Sequence, residues 1–87
     1  MRTETMVIRN PSGLHLRVAG KVAETVKRFE VNITICKDRE EADGSSVMQM
    51  LMLGASYGCE LEIAVNGKKE DHVIRQLREV FNDNDDA

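Results

Sequence analysis

The sequence predicts an α+β open-faced sandwich, a four-stranded antiparallel sheet with three helices on one face, in the order β-α-β-β-α-β-α. Several stretches alternate apolar and polar residues with period two, the mark of strands with one buried and one wet face. Between them run stretches of period 3.6, each with a single apolar stripe. At 87 residues the chain has material for one modest core, shared by one sheet and one layer of helices.

Residues 4–8 (ETMVI) read as the first strand, with Met6 and Ile8 on one face. The strand stops at the turn formers Asn10, Pro11, Ser12 and Gly13. From Leu16 to Arg28 the period becomes helical, with Ala19, Val22, Ala23 and Val26 as the stripe and Lys27 and Arg28 suited to the dipole of the last turn. Val31 to Lys37 alternates again, with Val31, Ile33 and Ile35 inward. A short edge strand is expected near residues 40–43, where charges discourage edge-to-edge pairing. Ser46 then opens a helix over residues 47–53, and Gly54 suits its C′ position. Residues 59–65 alternate with Leu61, Ile63 and Val65 inward, and Asn66-Gly67 makes a turn. Glu70 and Asp71 start a last helix whose stripe is Val73, Ile74, Leu77, Val80 and Phe81. The whole of 1–87 is expected to be one domain, with residues 81–87 as a frayed acidic tail.

Composition narrows the function. The net charge is −3, and one Tyr, two Phe and no Trp leave few rings for stacking bases, so a nucleic-acid partner is not expected. No stretch has the length and apolarity of a membrane span, and MRTETMVIRN lacks a signal peptide's apolar region, which points to the cytoplasm. Cys36 follows the outward parity of its strand and Cys59 the inward parity of the last one, which argues against a disulfide. Two distant cysteines also make no zinc pattern, and no metal or cofactor is expected. His72 is read as a surface residue without a role.

The run GLHLRVAG, from Gly13 to Gly20, carries the chemistry. His15 falls at a helix entrance, where backbone N–H groups have no intrahelical acceptor and the dipole is positive. Such a place is a ready anion site. Arg17 adds a guanidinium that meets phosphate oxygens in a fork. A histidine so placed is suited to accept a phosphoryl group.

GLHLRVAG resembles the active-site signature of the HPr family, the histidine-containing phosphocarriers of the bacterial sugar phosphotransferase system, written G-[IL]-H-x-R-P-A. The element order resembles that fold over essentially the whole chain, and Ser46 falls where the family's regulatory serine lies. The resemblance implies a monomeric carrier, not a turnover enzyme, with His15 phosphorylated by enzyme I and the group passed on to an enzyme IIA. It implies Arg17 as the phosphate-side cation, the amides of Leu16 and Arg17 as donors, and Ser12 and Gly13 as the loop that positions the ring. A kinase/phosphorylase acting on Ser46 would link the protein to carbon catabolite regulation. Val18 departs from the pattern, because the family usually has proline there. Proline in a first turn fixes φ and removes an orphan donor, so valine restores an N–H and loosens the helix start. This departure raises the alternative of a paralogue in a regulatory relay.

The second helix, VMQMLML, is apolar almost all round. If Val47, Met50 and Leu53 face the sheet, then Met48 and Leu51, and partly Met52, face outward as a docking surface. By resemblance, the surface at Val47, Met48, Leu51 and Met52 receives enzyme I and enzyme IIA. Two other readings compete: a ferredoxin-like module binding a small metabolite, and a hydrolase of acyl phosphates using Arg17. The hydrolase needs an amide to orient water, and neither Asn10 nor Asn66 is well placed by sequence.

Overall fold

The computed structural model describes residues 1–82. Along the chain run β1 (Arg2–Val7), α1 (Leu16–Phe29), β2 (Asn32–Lys37), β3 (Glu40–Asp43), α2 (Val47–Met52), β4 (Glu60–Asn66) and α3 (Glu70–Asn82). The strands form one sheet in the order β1-β4-β2-β3, every neighbouring pair antiparallel. This is the open-faced sandwich expected from the alternation.

Parity decides what is buried. Met6 from β1, Ile33 and Ile35 from β2, Ala42 from β3 and Leu61, Ile63 and Val65 from β4 all lie on the helix-covered face. Registers such as Ile35 opposite both Ile63 and Ala42 put these side chains side by side. The helices close over them with Val18, Ala19 and Val22 of α1, Met50 of α2, and Val73, Ile74, Leu77 and Phe81 of α3. The opposite face carries Thr5, Glu62, Cys36 and Glu41 in one row across the strands.

Three expectations need correction. β1 begins at Arg2 and ends at Val7, because Arg2 and Thr3 pair with Val65 and Ala64 of β4, a long-range partnership that local alternation does not reveal. The buried stripe of α1 is Val18, Ala19, Val22 and Thr25, while Ala23 and Val26 are only half-buried. Thr25 enters because its hydroxyl donates to the Lys21 carbonyl at 2.9 Å, which satisfies the group inside its own helix. The tail does not begin at residue 81: Phe81 is 1% exposed and α3 runs through Asn82. Residues 83–87 of that expected tail lie outside the described residues.

Two seams position the site. The Arg9 N–H donates to the Phe81 carbonyl at 2.8 Å, and Asn10 Nδ2 donates to the Val80 carbonyl at 3.1 Å, tying the β1–α1 loop to the end of α3. The Leu14 N–H donates to the Ala55 carbonyl at 3.0 Å, tying the same loop to the chain leaving α2.

Candidate phosphoryl site

His15 is the N-cap residue of α1, with extended backbone (φ −104°, ψ −178°), and its side chain makes no capping hydrogen bond. The usual cap residues spend a side-chain oxygen on the helix amides; an imidazole in that place leaves the amides to another acceptor. The first backbone bond of the helix runs from the Ala19 N–H to the His15 carbonyl at 2.9 Å. The amides of Leu16, Arg17 and Val18 therefore have no acceptor within α1. His15 is half-buried and Arg17 exposed, and both stand at the positive end of a 14-residue helix.

The loop before His15 is held tightly. The Gly13 N–H closes a turn on the Asn10 carbonyl at 2.9 Å, and the His15 N–H returns to the Gly13 carbonyl at 3.0 Å. Gly13 has φ +73°, and a Cβ there would lie 2.6 Å from the Ala55 carbonyl oxygen and 2.8 Å from the Ser56 Cα. Only glycine meets both conditions at once. Ser12 is exposed on this loop.

Ser46 is the N-cap of α2, its Oγ accepting the Gln49 N–H at 3.2 Å. The entrance is braced further: Gln49 Oε1 accepts the Asp43 N–H at 2.9 Å, and Asp43 Oδ1 accepts both the N–H (2.9 Å) and the hydroxyl (2.8 Å) of Ser45. These two donors hold the Asp43 carboxyl below its ordinary range. At the other end Lys37 Nζ donates to the Leu53 carbonyl at 3.2 Å, a cation at a helix terminus that has no basic residue of its own.

α2 buries Met50 fully and leaves Met48 71%, Leu51 39% and Met52 75% exposed, while Val47 is half-buried. Met52, expected to be only partly outward, is the most exposed of the three. Sequence reasoning passed over two relatives of this patch, the side chains of Leu16 and Tyr57. Apart from Met1, the exposed large hydrophobics among the described residues are Leu16, Met48, Leu51, Met52 and Tyr57. They occupy the first residue of α1, α2, and the loop after α2, the segments that meet around Gly13. The available signal was an aromatic side chain between two glycines, Gly54 and Gly58.

The other candidates fall away from the site. Asn10 is 1% exposed with its amide nitrogen engaged by Val80, so it is not poised to orient a water beside Arg17. Asn66 closes β4 and pairs with Asn32. His72 is exposed, with its ring edge-on to Phe29 at a centroid distance of 5.1 Å. Cys36 and Cys59 are free thiols. Burial first, and then Glu41 and Glu62, push the Cys36 thiol above its ordinary value. Among the described residues no cluster of three or more His, Cys, Asp or Glu side chains could hold a metal ion. No helix there is long and apolar enough to cross a membrane.

Comparison with known proteins agrees with this geometry. The family model described as the PTS HPr component phosphorylation site matches residues 2–83. The chain is 38% identical over 76 residues to the phosphocarrier protein HPr of Chlamydia muridarum, covering 87% of this chain and 73% of that one. It is 30% identical over 80 residues to the phosphocarrier protein NPr of Escherichia coli K12, covering 91% and 89%. The crystal structure of HPr-C-His from Thermoanaerobacter tengcongensis superposes with a TM-score of 0.84 at 30% identity, covering 93% of this chain and 91% of that one.

Proposed function

This chain belongs to the HPr family of phosphocarriers of the phosphotransferase system, and on that premise we propose that His15 is its phosphoryl acceptor and donor. Phospho-enzyme I supplies the group and an enzyme IIA receives it. The observation that carries the reading is the imidazole at the N-cap of α1, in the place of a capping oxygen.

A ring nitrogen of neutral His15 attacks the phosphorus held by enzyme I. The new N–P bond forms as the bond to the donor breaks, and the donor leaves with its electron pair. In the onward step an enzyme IIA nucleophile attacks, and His15 is the leaving group. Between the two steps the added charge lies against the Leu16 and Arg17 amides, the positive end of α1 and the Arg17 guanidinium. Stabilising the phosphorylated state too strongly would halt onward transfer, and an exposed arginine with backbone donors gives a moderate hold. The Ser12–Gly13 loop keeps the ring at the helix entrance, and Met48, Leu51 and Met52 with Val47 form the docking surface for both partners. Ser46 is the regulatory phosphorylation site, and the protein acts in the cytoplasm as a monomer and as a carrier. No metal or cofactor takes part in these steps.

Incubation with phosphoenolpyruvate and a bacterial enzyme I should add one phosphoryl group that is labile to acid and absent from His15→Ala. Equal labelling of His15→Ala would refute the assignment. A second reading, a paralogue in a regulatory relay, is favoured by Val18 in the proline position. Acceptance of the phosphate by a non-sugar enzyme IIA, and not by sugar-specific ones, would select it.

A further inference from the structure

Tyr57, 60% exposed, lies off both helices of the proposed docking surface. It walls a cleft of about 550 Å³ together with Arg9, Pro11 and Asn82. The cleft flanks the loop that carries His15, and its backbone is fixed. Besides the Arg9–Phe81 bond, the Gly58 N–H donates to the Ile8 carbonyl at 2.8 Å and the Ile8 N–H to the Cys59 carbonyl at 3.0 Å. Arg9 is exposed and makes no ion pair among the described residues. A cation beside the end of α3, which has no basic residue in its last turn, complements the helix dipole. That accounts for the charge of Arg9, but not for an exposed aromatic ring and an exposed proline facing the same space.

We infer that this cleft docks an acidic side chain, next to an aliphatic one, on the protein that exchanges phosphate with His15. The inference rests on the carrier function proposed above. Three observations carry it. The cleft is walled by Arg9 and Pro11 of the loop before His15 and by Tyr57 of the segment after α2, two stretches that meet at the Gly13–Ser56 contact. Arg9 offers a guanidinium fork whose natural complement is a carboxylate. Tyrosine and arginine are among the residue types on which interfaces concentrate their binding energy. A partner seated on α2 and reaching over the phosphohistidine loop would place its edge here, so Arg9 sets affinity and orientation and takes no part in the chemistry.

Initial rates of transfer from phospho-enzyme I to this protein, and from it to an enzyme IIA, separate KM from kcat. Arg9→Glu should raise KM about tenfold for at least one partner with kcat nearly unchanged, since reversing a charge at a steered contact acts on encounter. Salt of about 0.5 M should shrink that difference by screening. Tyr57→Ala should raise KM for the same partner severalfold without salt dependence, and Arg9→Lys should fall between wild type and Arg9→Glu. Melting temperatures should stay near wild type, because both side chains are exposed; should Arg9→Glu fail to fold, Arg9→Gln and Tyr57→Ala decide. Failure of the wild type to take up phosphate would defeat the carrier function itself. Normal wild-type transfer with unaltered KM for both partners in the Arg9 and Tyr57 variants would overturn the cleft alone.

Discussion

Gly13 and Ala55 share a space that holds no side chain between them: a Cβ on Gly13 would meet the Ala55 carbonyl at 2.6 Å, and that carbonyl accepts the Leu14 N–H at 3.0 Å. One contact thus joins the loop before His15, the proposed phosphoryl acceptor, to the exit of α2, the proposed docking helix. The two proposed surfaces are held to each other through this contact.

Gly13→Ala tests that contact. The left-handed φ alone costs an alanine on the order of 1–2 kcal/mol. Gly54, with φ +64° and open space around its missing Cβ, is the internal control for this cost. Gly54→Ala should lose about 1 kcal/mol, while Gly13→Ala should lose clearly more, of order 2–4 kcal/mol, because loop and carbonyl must part. Phosphotransfer by Gly13→Ala should fall beyond what lost stability explains. Equal melting temperatures for the two variants would mean the loop moves freely.

Val18→Pro bears on the departure from the family signature. The Val18 N–H has no acceptor within α1, so proline removes no helix bond there. Restricting the unfolded chain contributes about 0.4–1 kcal/mol. Against this, Val18 is 3% exposed, and losing part of a buried side chain costs about 1 kcal/mol. The two effects nearly cancel, so the melting temperature should shift by only a few degrees. A drop beyond about 10 °C would show that the Val18 N–H makes a needed bond.

The strands and the site were legible to different degrees, and for a physical reason. Period-two parity is dictated by the pleat itself, so Ile33, Ile35, Leu61, Ile63 and Val65 could be placed inward without knowing their partners. The N-cap roles of His15 and Ser46 are likewise local, because caps depend on the next three residues. What could not be read were bonds between distant segments. Asn10 looks like one more turn former, and only the folded chain brings Val80 to its amide. Arg9 and Tyr57 stand 48 positions apart in the sequence (57 less 9), and nothing local to either marks a shared cleft.

Cys36 should react slowly with alkylating reagents near pH 8, although it is half exposed. Burial, Glu41 and Glu62 each disfavour the thiolate, which is the reactive form. Glu62 is its direct cross-strand neighbour, so Glu62→Gln in a Cys59→Ser background should speed alkylation several-fold. An unchanged rate would assign the raised value to burial and Glu41.

Asp43 ties stability to pH through the entrance of α2. Its folded carboxyl lies below the ordinary value because two Ser45 donors favour the charged form. A depressed folded value means that the carboxylate stabilises the fold above the unfolded pKa, about 3.9, and that this stability is lost as pH falls through the folded value. Wild type should therefore melt higher than Asp43→Asn at pH 7, and the gap should close by about pH 2–3. A gap that persists undiminished at the lower pH would trace to shape, not charge.

Ser46→Asp separates a helix cap from a regulatory handle. Aspartate is as good an N-cap as serine and favours the positive end of α2, a gain of about 0.3–1 kcal/mol, offset in part by the Asp43 carboxylate three residues before it. The fold should hold, with the melting temperature within a few degrees of wild type. The new charge sits one residue before Val47 and two before Met48, which is 71% exposed, so it lies on the proposed docking surface. Transfer from phospho-enzyme I should therefore weaken about five- to tenfold, mainly in KM, if the partner's contact surface is acidic. Exposed charges are screened over about 10 Å at 0.1 M salt, so raising salt should restore part of the loss. A purely structural serine predicts the opposite pattern, with transfer unaffected at low salt and any change confined to the melting temperature. Measuring both quantities at two salt concentrations decides, because screening acts on the dock and leaves the Ser46–Gln49 cap unchanged.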